Sequence, residues 1–200
     1  MASLELIPFT EVDPVASAAA IYGLLHEERT ASQLGQFLPS FYARYGNTVE
    51  QGTERFAEMA DASRDHPGFL PMVQAIGDEI IGTATVDDRL RAYGRPAVGE
   101  ALVELPLVGP STSSWIAAPY QGLGYGKQSL ERRIRIATDA WSRPGVWVKV
   151  MDVNERSRRN VLGRGFRRVH EAPVWIARTL HANSSIYQYL ASEHNRTAGE

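Results

Sequence analysis

The sequence predicts an α/β fold with a mixed, mostly antiparallel sheet of six or seven strands and helices on both faces. Three observations lead to this prediction. Short apolar segments with strand-like alternation are separated by longer segments whose apolar residues recur at helical spacing. Gly77-Asp78 joins two of the apolar segments as a two-residue hairpin turn would. A glycine-rich segment at 121–127 follows an apolar strand and precedes a helix.

The first half of the chain is predicted to place two helices between its strands. Asp13-Pro14 begins the first helix, because Asp is a favoured N-cap and Pro fits the first helical position. Thr48 and Gln51 form a capping box at the start of the second. The predicted elements are a strand at 4–9, helices from 14 to about 29 and from 49 to about 64, and strands at 72–76 and 79–86.

The second half alternates strands and helices around the glycine-rich segment. Three prolines argue against one central strand between 87 and 113, although residues 101–108 can pair at a sheet edge. The remaining predicted elements are a strand at 114–117, a helix ending near 141, a strand at 146–153, a short helix at about 155–164, and strands at about 166–177 and 184–190. We predict a single domain over residues 1–190 and a polar C-terminal tail over 191–200.

Composition narrows the classes of function. Two hundred residues, 44% of them hydrophobic, suit one globular domain with a full core. The net charge of −2 gives no overall attraction to nucleic acid or to an anionic membrane. The absence of cysteine excludes disulfides, thiolate metal sites and a cysteine-acyl intermediate. No signal peptide or membrane-length apolar segment is visible, so we expect a cytoplasmic protein without a metal site, and we leave a homodimer open.

The segment Gln121-Gly122-Leu123-Gly124-Tyr125-Gly126-Lys127 predicts a turn that binds a pyrophosphate. A glycine-rich turn before a helix presents backbone N–H groups and the positive end of the helix dipole to an anion. A P-loop needs four residues between its glycines, whereas Gly122 and Gly126 enclose three. The Rossmann fingerprint fails as well, because Lys127 stands where its third glycine belongs. A turn of this kind without any ligand is the alternative interpretation.

Two motifs resemble the GNAT superfamily of acetyl-CoA-dependent N-acetyltransferases. The pattern Gln-x-x-Gly-x-Gly that begins at Gln121 resembles the coenzyme A pyrophosphate loop of that family. After the strand at 146–153, Asn154 precedes Gly165-Phe166 by the eleven residues usual in the family. Ser157 followed by basic residues, and Trp115-Ile116-Ala117 ahead of the loop, are similar to the RimJ/RimL-like branch, which acetylates the N-termini of ribosomal proteins.

The resemblance implies transfer of an acetyl group to a primary amine by direct attack in a ternary complex. The acceptor is a small-molecule amine or a protein N-terminus, and acetyl-CoA is the cosubstrate. The resemblance also implies a set of cofactor-binding residues, in which the backbone of the strand bonds the pantetheine arm. These are Trp115, Ile116, Ala117, Gln121, Gly122, Leu123, Gly124, Tyr125, Gly126, Lys127, Asn154 and Ser157. Lys127 and the arginines at 156, 158 and 159 are candidates for phosphate contacts, the alternative being a solvated basic surface.

The catalytic residues are harder to assign. Many family members carry Tyr as the acid seven residues after the Asn, and that position holds Val161. Ser157 is our candidate acid, with a helix cap or a cofactor contact as the alternative. Glu104 is our first candidate for the base, because an acid between two apolar residues of a predicted strand is unexpected. Its rivals are Asp87, Asp88, His170 and Glu171.

Other interpretations remain open at the level of sequence. A catalytically silent acyl-CoA-binding sensor or regulator has the same cofactor motifs without an acid or a base. A nucleotide-binding protein is a third reading of the glycine-rich segment. The cluster of Asp87, Asp88, Glu100 and Glu104 favours a cationic acceptor, unless the arginines among them face the acceptor and invert that preference.

Overall fold

The structure is a computed structural model that describes residues 3–35, 38–94 and 101–192. Within these ranges the chain forms six α-helices and eleven strands. The helices are α1 (Pro14–His26), α2 (Glu28–Leu34), α3 (Leu38–Tyr45), α4 (Val49–Asp65), α5 (Tyr125–Arg135) and α6 (Glu155–Leu162). The strands are β1 (Leu4–Pro8), β2 (Phe69–Ile76), β3 (Glu79–Asp87), β4 (Ala92–Gly94), β5 (Val103–Glu104), β6 (Ser111–Ile116), β7 (Gly145–Met151), β8 (Arg167–His170), β9 (Val174–Ile176), β10 (Thr179–His181) and β11 (Ser184–Leu190).

The strands form two sheets. The seven-stranded sheet has the order β1-β2-β3-β6-β7-β11-β8, and the four-stranded sheet has the order β10-β9-β4-β5. Strand β6 runs parallel to β7, with Ser111 opposite Trp147, whereas the β1–β2, β7–β11 and β8–β11 ladders are antiparallel. The predicted fold class, α/β with a mostly antiparallel sheet of six or seven strands, is therefore confirmed.

Contacts divide the chain into two compact units. The first unit comprises Met1–Thr85 with Ser114–Ser129, and the second comprises Val86–Ser113 with Leu130–Glu200. The extent of a single domain over 1–190 stays a prediction, and residues 193–200 of the predicted tail lie outside the described residues.

The first unit buries apolar side chains on both faces of its strands. On one face, Phe9 stacks on Phe56 with ring centroids 4.3 Å apart, and both belong to a cluster contributed largely by α1, α3 and α4. On the other face, Leu4, Ile81 and Ile116 pack with Tyr125 from the first turn of α5. Helices therefore cover both faces, and the start of α5 is fixed by its buried tyrosine.

The predicted N-cap at Asp13 is confirmed, and the capping box is confirmed only for the Thr48 side chain, because Gln51 Oε1 accepts from Asn47 N rather than from Thr48 N. Asp13 Oδ1 accepts a hydrogen bond from Ala16 N at 2.7 Å, and Thr48 Oγ1 accepts one from Gln51 N at 3.3 Å. Helix α1 ends at His26 rather than near Arg29, because Glu27 starts a new helix and its side chain accepts from the N–H groups of Arg29 and Thr30. The hairpin turn is also confirmed, with Gly77 at a φ of 58° between β2 and β3.

The second unit packs the four-stranded sheet over β7 and β11. Trp147 and Ile186 from those strands form one apolar cluster with Ala92, Val174 and Ile176 from β4 and β9. The single strand predicted at 166–177 is wrong, because β8 ends at His170 and β9 belongs to the other sheet; Pro173, between them, has no N–H for a ladder. The edge pairing predicted for 101–108 is confirmed only for the two residues of β5.

Candidate functional site

The glycine-rich segment forms an open turn at the start of α5. Gly122 and Gly124 have φ values of 83° and 85°, which side chains with a Cβ rarely adopt. Gly124 O accepts hydrogen bonds from Lys127 N at 3.1 Å and Gln128 N at 3.2 Å, so Gly124 is the residue immediately before α5, which begins at Tyr125. A Cβ atom added at Gly124 would have no heavy atom within 4 Å. The backbone conformation therefore requires glycine, and the space beside Gly124 is free for a ligand.

The flanking side chains hold this turn in place. Gln121 Nε2 donates to Ile116 O at 2.8 Å, and Gln128 Oε1 accepts from Leu4 N at 3.1 Å. Tyr125 is buried, whereas Leu123 and Lys127 are exposed. Of the predicted cofactor-binding residues, Gln121 and Tyr125 thus anchor the turn, and Lys127 presents its ammonium group to solvent at the positive end of the helix dipole.

The strand before the turn is fixed through its backbone. Trp115 O accepts from Gln74 Nε2 at 2.8 Å, Ile116 O accepts from Gln121 Nε2 at 2.8 Å, and Ala117 N donates to Ile81 O at 2.9 Å. These three groups already have partners within the first unit. The predicted hydrogen bonds to a pantetheine arm, and the predicted oxyanion donor near Ile116, would therefore use the other backbone groups of this strand.

Gln74 is a residue of this region that sequence reasoning missed. Its side chain is fully buried, and Nε2 donates both to Thr83 O at 2.7 Å and to Trp115 O. Gln74 thereby connects β2 with β3 and β6. The signal was present in the sequence, since an amide within the apolar segment 69–76 is buried at a cost unless it forms hydrogen bonds.

Asn154 and Ser157 lie at the start of α6 in the second unit. Asn154 is the N-cap residue, and its Oδ1 accepts from Ser157 N at 3.0 Å. Asn154 therefore caps α6, and this hydrogen bond engages one of the two polar atoms of its side chain. Ser157 Oγ forms no hydrogen bond with the described part of the chain. Val161, at the position where many family members carry Tyr, is buried.

Glu104 and three of its rivals are ion-paired. Glu104 lines a cavity of about 150 Å³ together with Asp88 and Trp147. The pairs are Glu104 Oε1 with Arg91 Nε at 3.4 Å, Asp87 Oδ1 with Arg89 Nε at 3.0 Å, Glu171 Oε1 with Arg168 Nη2 at 2.8 Å, and Asp88 with Arg143. Arginines therefore pair with Asp87, Asp88 and Glu104, the preference for a cationic acceptor stays a prediction, and Glu100 and Arg95 lie outside the described residues.

Tyr120 is a second residue that the sequence did not single out. It follows the strand that precedes the glycine-rich turn, and its hydroxyl donates to Glu79 Oε1. This hydrogen bond, together with burial and the charge of Glu79, raises the pKa of Tyr120 to about 12. A phenol with so high a pKa stays protonated at neutral pH and links the residues before the turn to the start of β3.

The described residues contain no group of three or more His, Asp or Glu side chains placed to hold a metal ion. No helix in the same ranges is long and apolar enough to cross a membrane.

Similar solved structures are acetyltransferases. The ribosomal-protein-S5-alanine acetyltransferase from Vibrio fischeri is 16% identical, with a TM-score of 0.63 over 94% of this chain and 91% of that one. The ribosomal L7/L12 alpha-N-protein acetyltransferase RimL, solved with coenzyme A, is 13% identical, with a TM-score of 0.65 over 94% of each chain. The N-acetyltransferase PseH from Campylobacter jejuni, solved with acetyl coenzyme A, is 10% identical, with a TM-score of 0.56 over 94% of this chain and 99% of that one.

These likenesses establish the fold. The chain has the fold of the GNAT acetyltransferases, and its structural neighbours include RimL and RimJ-like ribosomal-protein acetyltransferases, which confirms the resemblance drawn from the two motifs. The sequence matches no protein-family model and no curated protein sequence.

Proposed function

We propose that this protein is an acetyl-CoA-dependent N-acetyltransferase that acetylates a primary amine by direct attack in a ternary complex. The observation that carries the proposal is the turn before α5, in which Gly122 and Gly124 have positive φ values and free space lies beside Gly124. A pyrophosphate can approach such a backbone closely and meets the positive end of the helix dipole. The acetyltransferase neighbours with bound coenzyme A or acetyl-CoA support this assignment.

The predicted cofactor residues divide into three roles. The N–H groups of residues 122–125 bind the pyrophosphate, and Lys127, whose N–H already donates to Gly124 O, adds the positive charge of its side chain. The backbone of Trp115–Ala117 bonds the pantetheine arm, and Asn154 offers its Nδ2 amide to the same arm. The side chains of Gln121 and Tyr125 hold the turn rather than the ligand, as their hydrogen bond and burial indicate.

The acid and the base are assigned from chemistry. Acetyl-CoA supplies the acetyl group as a thioester. Ser157 Oγ, which has no hydrogen-bond partner in the described residues, is available to contact the cofactor, and it is also our candidate for protonating the leaving thiolate. An α-amine with a pKa of about 7.7–8.0 is neutral in about a tenth of molecules at pH 7, so such an acceptor needs only a modest base. Glu104 stays our candidate for that base, although it must exchange its Arg91 contact for the acceptor.

The test separates the enzyme from a silent binding module. Calorimetry should show binding of acetyl-CoA, and an assay for released free thiol should show turnover on at least one member of a panel of α-amines, polyamines and small primary amines. Binding without turnover on any amine would favour the acyl-CoA sensor. Affinity for ATP or NAD equal to that for acetyl-CoA would instead favour the nucleotide-binding reading, since a site that recognises the pantetheine arm discriminates against both.

A further inference from the structure

Lys149 and His181 form an unusual pair in the second unit. Lys149 lies on β7, His181 lies on β10, and Lys149 Nζ is 3.0 Å from His181 Nδ1. An ammonium group has no lone pair, so Lys149 donates to an unprotonated Nδ1 and the ring proton of a neutral His181 stands on Nε2. Both side chains are partly buried. The chain has only two lysines, of which Lys127 is exposed and Lys149 is partly buried.

The surroundings of this pair lower the pKa of both groups. Burial lowers the pKa of Lys149. Burial also lowers the pKa of His181, and the positive charge of Lys149 lowers it further. No carboxylate of the described residues counters either effect. The ammonium of Lys149 is thus partly removed from water without an anionic partner, which leaves a positive potential at the pair.

The elements around the pair bring no acid toward it. Ile186 of β11 is the register partner of Lys149, and His170 of β8 is the register partner of Ile186, so the three residues form one row across the sheet. Val174 of β9 is the register partner of His181. The titratable or charged residues of these elements and of their connecting turn are His170, Arg167, Arg168, Arg178, Tyr187 and Tyr189. The acids that follow β7 and β8 are engaged elsewhere, Asp152 by Ser185 and Glu171 by Arg168.

We propose that Lys149 and His181 form a binding site for a carboxylate. Lys149 retains two N–H donors beyond the one directed at His181, and His181 offers a further donor at Nε2. Two donors from separate side chains match the two oxygens of one carboxylate. Phosphate sites use more donors, from helix N-termini or from the fork of an arginine. Partial burial strengthens the attraction because water screens the charges less, while both side chains retain access to solvent.

The carboxylate belongs to the acceptor, an assignment that rests on the proposed function. Lys149 precedes Asn154 by five residues, so the two lie at most about 17 Å apart along an extended chain. That distance is within reach of an amino acid or a short peptide that carries both an amine and a carboxylate. Arginines pair with the acidic residues at 87, 88 and 104 and weaken the attraction of these acids for a cation, while Lys149 and His181 favour an acceptor that carries a carboxylate.

Binding can be measured without any activity. The imidazole signals of the five histidines are followed by NMR, with His181→Gln to assign His181, while acetate is added as the probe. We expect acetate to raise the pKa of His181 and to bind more tightly at about pH 5.5 than at pH 7, because protonation of His181 adds a second positive charge. Lys149→Met should weaken acetate binding about tenfold or more, whereas Arg135→Met, at an exposed cation outside the proposed sites, should leave it unchanged.

Several outcomes would refute the proposal of a carboxylate site at Lys149 and His181. The proposal fails if acetate leaves the His181 signals unmoved, or if Lys149→Met binds acetate as the unaltered protein does. If inorganic phosphate moves the His181 signals at concentrations as low as acetate does, the site is not specific for carboxylates and the proposal is refuted. Folding of Lys149→Met is checked by the dispersion of its amide spectrum, and Lys149→Gln provides a second variant should the first not fold.

A second experiment tests the acceptor. Each carboxylated acceptor is paired with its carboxamide, and KM and kcat are measured for both. We expect Lys149→Met to raise KM about tenfold for the carboxylate member only, with kcat unchanged. An equal effect on both members, or none on either, refutes the acceptor assignment. If the unaltered protein acetylates no amine while acetate still binds at His181, the proposed function fails together with the acceptor assignment, and the carboxylate site stands.

Discussion

The carbonyl oxygen of Trp115 lies 2.0 Å from the position that a Cβ atom on Gly82 would occupy. Strands β3 and β6 therefore approach each other so closely that only glycine fits at position 82. The same carbonyl accepts a hydrogen bond from Gln74, whose buried side chain reaches it from β2. Gly82 and Gln74 together set the position of the strand that leads into the glycine-rich turn.

Gly82→Ala should destabilise the protein. The added methyl group would meet backbone atoms, which cannot move aside as a flexible side chain can, and such overpacking costs about 1–3 kcal/mol. Gly23→Ala is the matched control, because Gly23 is in α1 with no heavy atom near its Cβ position, and alanine should stabilise a helix by about 0.5–1 kcal/mol. Urea unfolding of both variants gives the comparison. A Gly82→Ala protein as stable as the original would show that the two strands can separate without loss.

Local signals in the sequence predicted most elements of the fold. Caps at Asp13 and Thr48, the turn at Gly77 and the positive-φ glycines at 122 and 124 act within a few residues, so their effect is visible in a short segment. The four-stranded sheet was not predicted, because β4 and β5 are two or three residues long and their pairing is decided by distant partners. No periodicity can be read from so few residues.

The candidate site, like the fold, was predicted only in part from the sequence. The glycine-rich turn follows from a sequence motif, whereas the cap at Asn154 was not predicted, because Asn154 was assigned to the cofactor. The roles of Gln74 and Lys149 depend on contacts with residues of other strands. Such contacts cannot be inferred from the spacing of residues in the sequence. Likewise, the arginine partner of Glu104 is thirteen residues away in the chain and could not be inferred from charge alone.

Gly124→Ala should weaken acetyl-CoA binding about tenfold or more. The methyl group would occupy the free space proposed for the pyrophosphate, and a positive φ of 85° strains any residue with a Cβ. Gly77→Ala is the control, since Gly77 also has a positive φ and no heavy atom near its Cβ position. Both variants should lose about 1–2 kcal/mol of stability, but calorimetry should find weaker binding only for Gly124→Ala. Unchanged affinity in folded Gly124→Ala protein would contradict the proposed pyrophosphate site.

Tyr120 should contribute to stability in a pH-dependent manner. Its folded-state pKa of about 12 exceeds the ordinary value near 10, so the stabilisation is fully present below about pH 10 and is lost as the pH rises toward 12. Above that range the phenolate would face the carboxylate of Glu79. Tyr120→Phe should therefore be less stable than the original at pH 8, and the difference should shrink by about pH 11.5. A difference that stays constant across this range would show that the hydrogen bond to Glu79 is absent in solution.

Variants of Asn154 can separate capping from cofactor binding. Asn154→Ala removes the acceptor for Ser157 N and should cost about 0.5–2 kcal/mol of stability. Asn154→Asp keeps a good N-cap but loses the amide N–H groups proposed to bind the pantetheine arm, and it adds a negative charge. We expect Asn154→Asp to unfold at the same urea concentration as the original while acetyl-CoA binding weakens. If Asn154→Asp binds acetyl-CoA as tightly as the original protein does, Asn154 serves only as the N-cap of α6.

Ser157→Ala distinguishes a proton donor from a cofactor contact. The helix cap uses the backbone N–H of Ser157, so the substitution leaves that hydrogen bond intact and removes only the hydroxyl, which has no partner in the described residues. If the hydroxyl only contacts the cofactor, acetyl-CoA affinity falls and kcat at saturation changes little, and this is the outcome we expect. If it protonates the thiolate, kcat falls by about 10²–10⁴ with affinity unchanged. Measuring affinity by calorimetry and kcat by thiol release on the same preparations decides between the two, and a large fall in kcat alone would contradict our expectation.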